Sequence, residues 1–232
     1  QHYMEYNEPL YIEDITTNTH DYFNRKYYKL NRVNCVVPIL KHLESGDEVN
    51  AVFVSDGHSS RSKSHSRNKI TEDLFNEIGC KQPIFLDFKD NMLDSYSRLE
   101  IIQSLEEVSE SIEPNLVYTH FFDDLNVDHR LVSECVHTCF RPVPGSSVKS
   151  LLLFEVLSST EWSVRRSFQP NYFVDISKFL QKKIDLLNYY SKEMRATPHT
   201  RSYENVVNLN KLRGNMVGIE AAEAFLVSRF IN

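Results

Sequence analysis

Apolar and polar positions along this chain alternate between two regimes. Short apolar runs, Val49-Asn-Ala-Val-Phe-Val54, Ile84-Phe-Leu-Asp-Phe88, Leu116-Val117-Tyr118 and Ser150-Leu-Leu-Leu-Phe-Glu155, read as core strands bounded by turn residues. Between them, Val33–Leu43, Ile70–Ile78, Leu99–Ile112 and Asp128–Phe140 place apolar residues at helical spacing, and Gly46 and Gly79 stop the first two helices. Tyr172-Phe-Val-Asp175 leads into a helix running through Tyr190, with Asp175 or Ser177 as its cap. Residues from Ser202 to Phe230 read as mostly helical. Residues 1–32 differ from the rest: polar, rich in Tyr and Asn, and strand-like only at Leu10-Tyr11-Ile12 and Ile15.

Strands alternating with helices mean βαβ units. The pattern therefore predicts an α/β fold, a Rossmann-like, largely parallel sheet with helices on both faces. Neither a repeat nor a linker interrupts it, so residues 1–232 are expected to form a single domain, divergent over 1–32.

Composition changes this picture little. Hydrophobic residues make up 41% and charged residues 25% of the chain, as in ordinary globular proteins. A net charge of −6 argues against a nucleic-acid partner, which needs concentrated Lys and Arg. One local exception is the basic loop Arg61-Ser-Lys63-Ser-His65-Ser-Arg67. No apolar stretch approaches the roughly 20 residues of a transmembrane helix. Cys135 and Cys139 sit one turn apart on the apolar face of a helix, which predicts buried free thiols rather than a metal pair. Reduced cysteines and the lack of a signal-peptide pattern predict a cytoplasmic protein.

The candidate chemistry lies in Tyr118-Thr119-His120-Phe121-Phe122-Asp123-Asp124-Leu125-Asn126-Val127-Asp128-His129-Arg130. A buried strand stops at an acidic, His-containing loop, and an amphipathic helix follows. Imidazoles and carboxylates at the C-terminal end of a strand sit where α/β folds place ligands. They are also the groups that hold zinc and move protons.

This segment resembles the PIG-L (LmbE-like) family of zinc-dependent N-acetylsugar deacetylases. Six further pieces follow the family's order: Leu40–Val49, Val54-Ser-Asp-Gly57, Phe85–Asn91, Pro170–Ile176, Pro198-His-Thr-Arg-Ser202 and Gly218–Phe225. The resemblance implies a substrate with an N-acetylated amino sugar, of N-acetylglucosamine type, free or carried on a conjugate, and hydrolysis of its amide. In the family a first strand ends in His-Pro-Asp-Asp-Glu, whose His and second Asp bind Zn2+ while the first Asp acts as base. A third ligand comes from the Asp-His-Arg segment, His129 here. Three protein ligands leave an open position, where zinc lowers the pKa of bound water toward about 7.

The His-Pro-Asp-Asp-Glu motif is missing or degenerate. An ungapped register lays it on Tyr27-Tyr-Lys-Leu-Asn31. A gapped register takes Ile12–Ile15 as the first strand and lays the motif on Asn18-Thr-His-Asp-Tyr22, offering His20 as base and Asp21 as ligand. The resemblance thus implies His129 and Asp21 as metal ligands, His20 or Asp128 as base, and His199 as the group that stabilises the oxyanion. It places Arg67, Asp90, Asn91, Asp124 and Asn126 against the substrate. Asp128 also reads as a simple helix N-cap, and His120 and Asp124 as solvated loop residues. Trp162 is expected in the core. The alternative is a degenerate member that has lost zinc and hydrolysis and keeps sugar binding, assembly or regulation.

Overall fold

The computed structural model describes residues 26–30, 36–56 and 66–231, with side chains from 37 to 56 and from 68 onward. Among the described residues, seven strands form one sheet in the order β3-β2-β1-β4-β5-β7-β6: β1 (Lys26–Leu30), β2 (Glu48–Ser55), β3 (Ile84–Phe88), β4 (Leu116–His120), β5 (Ser150–Phe154), β6 (Tyr172–Asp175) and β7 (Ala222–Phe230). β1 pairs in parallel with β2 and with β4, and β2–β3 and β4–β5 are parallel too. β7 runs antiparallel between β5 and β6. The helices are α1 (Val36–Glu44), α2 (Ser66–Glu77), α3 (Arg98–Ile112), α4 (Val127–Cys139), α5 (Leu180–Leu187) and α6 (Tyr203–Asn215).

Two apolar layers sandwich the sheet, and the period of two along each strand separates them. Val52, Val54 and Val117 face Ile101 and Leu105 of α3 and Val132 and Val136 of α4. Ala51, Phe53, Leu116 and Tyr118 face Ile39 of α1 and Phe75 of α2. Burial on both sides is why these strands read as continuous apolar runs. No helix among the described residues is long and apolar enough to cross a membrane.

Three expectations are corrected here. The strand between β2 and β4 is Lys26–Leu30, not Ile12–Ile15, which lies outside the described residues. Its alternating Lys and Tyr conceal a strand because pairing on both edges, not sequence pattern, fixes it. The C-terminal stretch is not helical throughout. α6 ends at Asn215, Gly218 takes a φ of 77°, and Ala222–Phe230 enters the sheet. The same Ala-Glu-Ala-Phe segment fits a helix by propensity, so tertiary pairing decides it. The helix expected from Asp175 to Tyr190 is broken into the 3-10 turn Ser177–Phe179, α5, and the 3-10 turn Asn188–Glu193. The N-cap position of the first of these is Ile176, and the Asp175 carboxylate before it accepts from Ser177 N at 2.9 Å.

The C-terminal layer is pinned by charge. Lys183 of α5 donates to Glu223 of β7 at 2.8 Å and to Asn210 of α6 at 3.1 Å, all three buried. Arg213 of α6 makes a two-point contact with Glu155, just past β5, at 2.6 and 2.7 Å. Gly214 lies against the turn into β7: a Cβ there would meet Ile219 O at 2.6 Å and Ala221 N and Cα at 2.7 Å. Those atoms are backbone and cannot rotate away. Gly214→Ala is therefore expected to cost about 1–3 kcal/mol, despite the better helix propensity of alanine. Thermal denaturation of the variant should show a lower midpoint, and an unchanged or higher one would remove the close approach.

Candidate functional site

The chain builds β1, β2 and β3 outward on one side of the sheet, then returns to place β4 on the other side of β1. Crevices in open α/β sheets form at such a reversal, beyond the carboxyl ends of the strands. The β4–α4 loop stands there, beside the loop after β3.

His120 closes β4 and Phe121 N continues the pairing to Phe154 O at 3.1 Å. Asp124 then turns its carboxylate inward and is fully buried. Its Oδ1 accepts from Asn126 N at 2.9 Å, from the His129 ring Nδ1 at 3.0 Å and from the Ser159 hydroxyl. Its Oδ2 accepts from Thr160 Oγ1 at 2.5 Å. Burial alone would raise the Asp124 pKa, but the hydrogen bond and charge of His129, with the two hydroxyls, outweigh it and hold the carboxyl at about 2. Asp124 is thus an anion at neutral pH.

That anion fixes a tautomer. With a carboxylate facing Nδ1, the neutral form of the His129 ring carries its proton on Nδ1 and presents the Nε2 lone pair. A carboxylate behind an imidazole is the arrangement that orients metal-binding and basic histidines. His120 stacks on the His129 ring, centroids 4.2 Å apart and planes 16° from parallel. Burial first, and then the neighbouring His129, push the His120 pKa well below the usual imidazole range, so His120 is neutral.

Asn126 is the N-cap of α4, its side chain accepting from Asp128 N at 2.8 Å and His129 N at 3.4 Å. The cap is therefore Asn126 and not Asp128. Asp128 instead accepts from Leu93 N at 3.2 Å through Oδ1, while its buried Oδ2 has no hydrogen-bond partner among the described residues. Its pKa is raised, mainly by burial, with the Asp90 charge adding to the shift. The loop after β3 supplies Asp90 and Asn91. Asp90 N donates to Asp56 Oδ1 at 3.1 Å, and Asn126 Nδ2 reaches Asn91 Oδ1 at 3.5 Å. Asn91 sits at a φ of 57°, a conformation asparagine tolerates.

His199 joins from the loop before α6. Its Nδ1 accepts from Arg201 N at 3.0 Å, so a neutral ring carries its proton on Nε2 and offers a donor. The ring meets Trp162 edge-on at 5.8 Å. Trp162 belongs to the same post-β5 segment as Ser159 and Thr160, so this segment links His199 to Asp124. Two imidazoles are thereby set in opposite tautomers, one a lone-pair donor and one a proton donor.

The structure thus gathers Asp90, Asn91, Asp124, Asn126, Asp128 and His129 in one region, with His199 joined to it through Trp162. His20 and Asp21 lie outside the described residues, and in sequence they precede β1 instead of following it. The gapped register, which needed them after the first strand, loses its support. Arg67 falls in α2, with its side chain outside the described set. Three expectations are reversed by burial. His120 and Asp124 are not solvated loop residues, and Asp124, with both oxygens engaged inside the protein, is not a substrate contact. Trp162 is not in the core; 47% of it is exposed. Cys135 and Cys139 are free thiols, as expected, and burial pushes their pKa values to about 11 and 12. Sequence reasoning missed Ser159 and Thr160, whose Ser-Ser-Thr context carries no signal of a carboxylate partner far back in the chain.

Zinc does not fit the described residues. A catalytic zinc needs three protein ligands, and no three His, Cys, Asp or Glu side chains among the described residues converge as a metal site. His129 Nε2 supplies one. The chain leaving β1, Asn31-Arg-Val-Asn-Cys35, contains Cys35 but no His, Asp or Glu.

Residues 33–140 match the family profile described as PIG-L: GlcNAc-PI de-N-acetylase. Among solved structures, the chain is similar to the N,N'-diacetylchitobiose deacetylase of Pyrococcus horikoshii in complex with an inhibitor. That match has a TM-score of 0.67 at 19% identity, covering 88% of this chain and 83% of that one. The conserved protein TT1542 of Thermus thermophilus matches with a TM-score of 0.68 at 18% identity, covering 89% and 95%. GalB, the 4-carboxy-2-hydroxymuconate hydratase of Pseudomonas putida, matches with 0.68 at 17% identity, covering 90% and 97%. At these identities the likeness establishes the fold, and a hydratase among the matches is a reminder that one fold hosts several chemistries.

Proposed function

We propose that this chain, which belongs to the PIG-L (LmbE-like) family through residues 33–140, binds an N-acetylated amino sugar or its conjugate at the β4–α4 mouth and acts on its amide. The observation that carries this reading is the His129–Asp124 pair, held by Ser159 and Thr160 with the Nε2 lone pair left to meet a ligand. His199, protonated on Nε2, is suited to donate to the amide carbonyl oxygen as negative charge develops there. Asp128, raised in pKa beside His129, is suited to hold or pass a proton. Asp90, Asn91 and Asn126 offer the polar groups that sugar hydroxyls need. The expected setting is a single domain acting in the cytoplasm.

A second reading is favoured by β1 and by the metal test. The ungapped register puts Tyr27–Leu30 in the strand itself, where the family motif would stand, and the described residues supply one zinc ligand. On that reading the chain keeps the sugar pocket and has lost hydrolysis. Zinc content of the metal-supplemented protein, measured with release of primary amine from N-acetylglucosamine and its oligomers, separates the two. About one zinc per chain with amine release supports hydrolysis, with ligands drawn from outside the described residues. Saturable sugar binding without zinc or amine supports the degenerate form. If neither sugar binding nor release occurs, the proposal fails.

A further inference from the structure

The mouth of the site carries a surface that neither sugar binding nor folding uses. Trp162 and Val164 flank Ser163, whose hydroxyl donates to Asp123 O at 2.6 Å and so seats the loop on the β4–α4 turn. Arg165 N in turn donates to Ser163 Oγ at 3.2 Å, and the Arg166 guanidinium lies 6.0 Å from the Phe122 ring centroid and 3.6 Å from Asp123. Anchored at Ser163, the loop holds Val164 94% exposed, with Trp162 about half exposed beside it. Phe122, Leu125 and Val127, on the turn beneath, are exposed as well. Single exposed apolar residues are ordinary, but a Trp, a Phe and three aliphatics gathered on two mutually bonded loops form a patch that marks an interaction site.

The charges beside that patch select the partner. Arg165 and Arg166 are exposed next to Trp162 and Val164 on a chain whose net charge is −6, with Arg166 against Asp123 and the Glu161 carboxylate turned to the Ser158 and Ser159 amides. Exposed Lys192 and Arg195 stand in the segment that leads to His199, whose ring meets Trp162. An indole at the boundary, an aliphatic tip and flanking arginines match a bilayer interface, where the ring sits at headgroup level and cations meet anionic lipid. We propose that the Trp162–Arg166 loop with Phe122 and Leu125 docks the mouth of the site on an anionic membrane surface, without any spanning segment. The proposal does not depend on amide hydrolysis and can fail or hold independently of it.

Trp162 is the chain's one tryptophan, so its fluorescence reads this surface directly. Vesicles of phosphatidylcholine with phosphatidylglycerol should shift its emission to the blue and pellet the full chain. Phosphatidylcholine alone should do so several-fold less, and raised salt should weaken the anionic case. The double variant Val164→Asp/Arg165→Glu should lose both signals while keeping its melting temperature, since neither side chain is buried. Absence of shift and pelleting overturns the proposal, as does equal binding to both vesicle types. A blue shift produced by concentrating the protein without vesicles would assign the patch to a second copy, and one produced by soluble glycerol phosphate would assign it to a dissolved ligand. Either result also overturns the proposal.

Discussion

On the hydrolytic reading, with zinc ligands completed from outside the described residues, His129→Ala is expected to abolish amide hydrolysis and metal uptake together, with a loss of turnover of roughly 10²–10⁴-fold, the range for removing a positioned acid–base group. Asp124, ionised and buried, holds the His129 ring in one orientation with Nδ1 toward the carboxylate. Alanine keeps α4 intact, because Asn126 still caps the helix through the Asp128 amide. The fold should therefore survive while the Nε2 lone pair disappears. Primary-amine release, zinc analysis and a thermal melt on the same preparation check it. A variant that retained wild-type zinc and turnover would show that the role of His129 had been wrongly carried over from the family.

The second large effect is on stability and its dependence on acid. The Asp124 carboxyl titrates at about 2 in the folded protein against an ordinary value of 3.8. A depressed folded pKa contributes stability that is complete above the unfolded value and lost as pH falls through the folded one. The contribution is roughly 2 kcal/mol, fully present above about pH 5 and gone near pH 2. Asp124→Asn removes the charge and mismatches an amide NH₂ to the hydroxyl donors of Ser159 and Thr160. It should cost about 3 kcal/mol or more at pH 7, since charged hydrogen bonds are lost inside the protein. The wild-type urea midpoint should fall between pH 5 and pH 2, and the gap between wild type and variant should narrow over that window. A constant gap across it would mean that Asp124 is not ionised in the folded state.

The two variants read different layers of the same site. On the proposed reading His129 faces the ligand, and its loss should show in kinetics more than in melting. Asp124 touches no ligand and should show in both, because the Ser159–Thr160 segment, Asn126 and His129 all depend on it. Lys183 and Glu223 form a comparable buried pair farther along the chain, but their charges satisfy each other. They therefore pin α5 to β7.

Local pattern by itself determined the βαβ order, because apolar runs and helical spacing are properties of neighbouring residues. It also singled out the β4–α4 segment as the candidate site, since a strand ending in His and Asp before a capped helix is written within a few positions. Tertiary structure decided what that pattern leaves degenerate. Lys26–Leu30 became a strand because β2 and β4 flank it, and Ala222–Phe230 became one because β5 and β6 leave a slot between them. Asp124 changed from an exposed loop acid to a buried anion because Ser159 and Thr160, far along the chain, fold over it. Trp162 was left at the surface by the Ser163–Asp123 bond. Each of these depends on contacts between residues distant in sequence, whose energies exceed local propensity, and no window along the chain contains both partners.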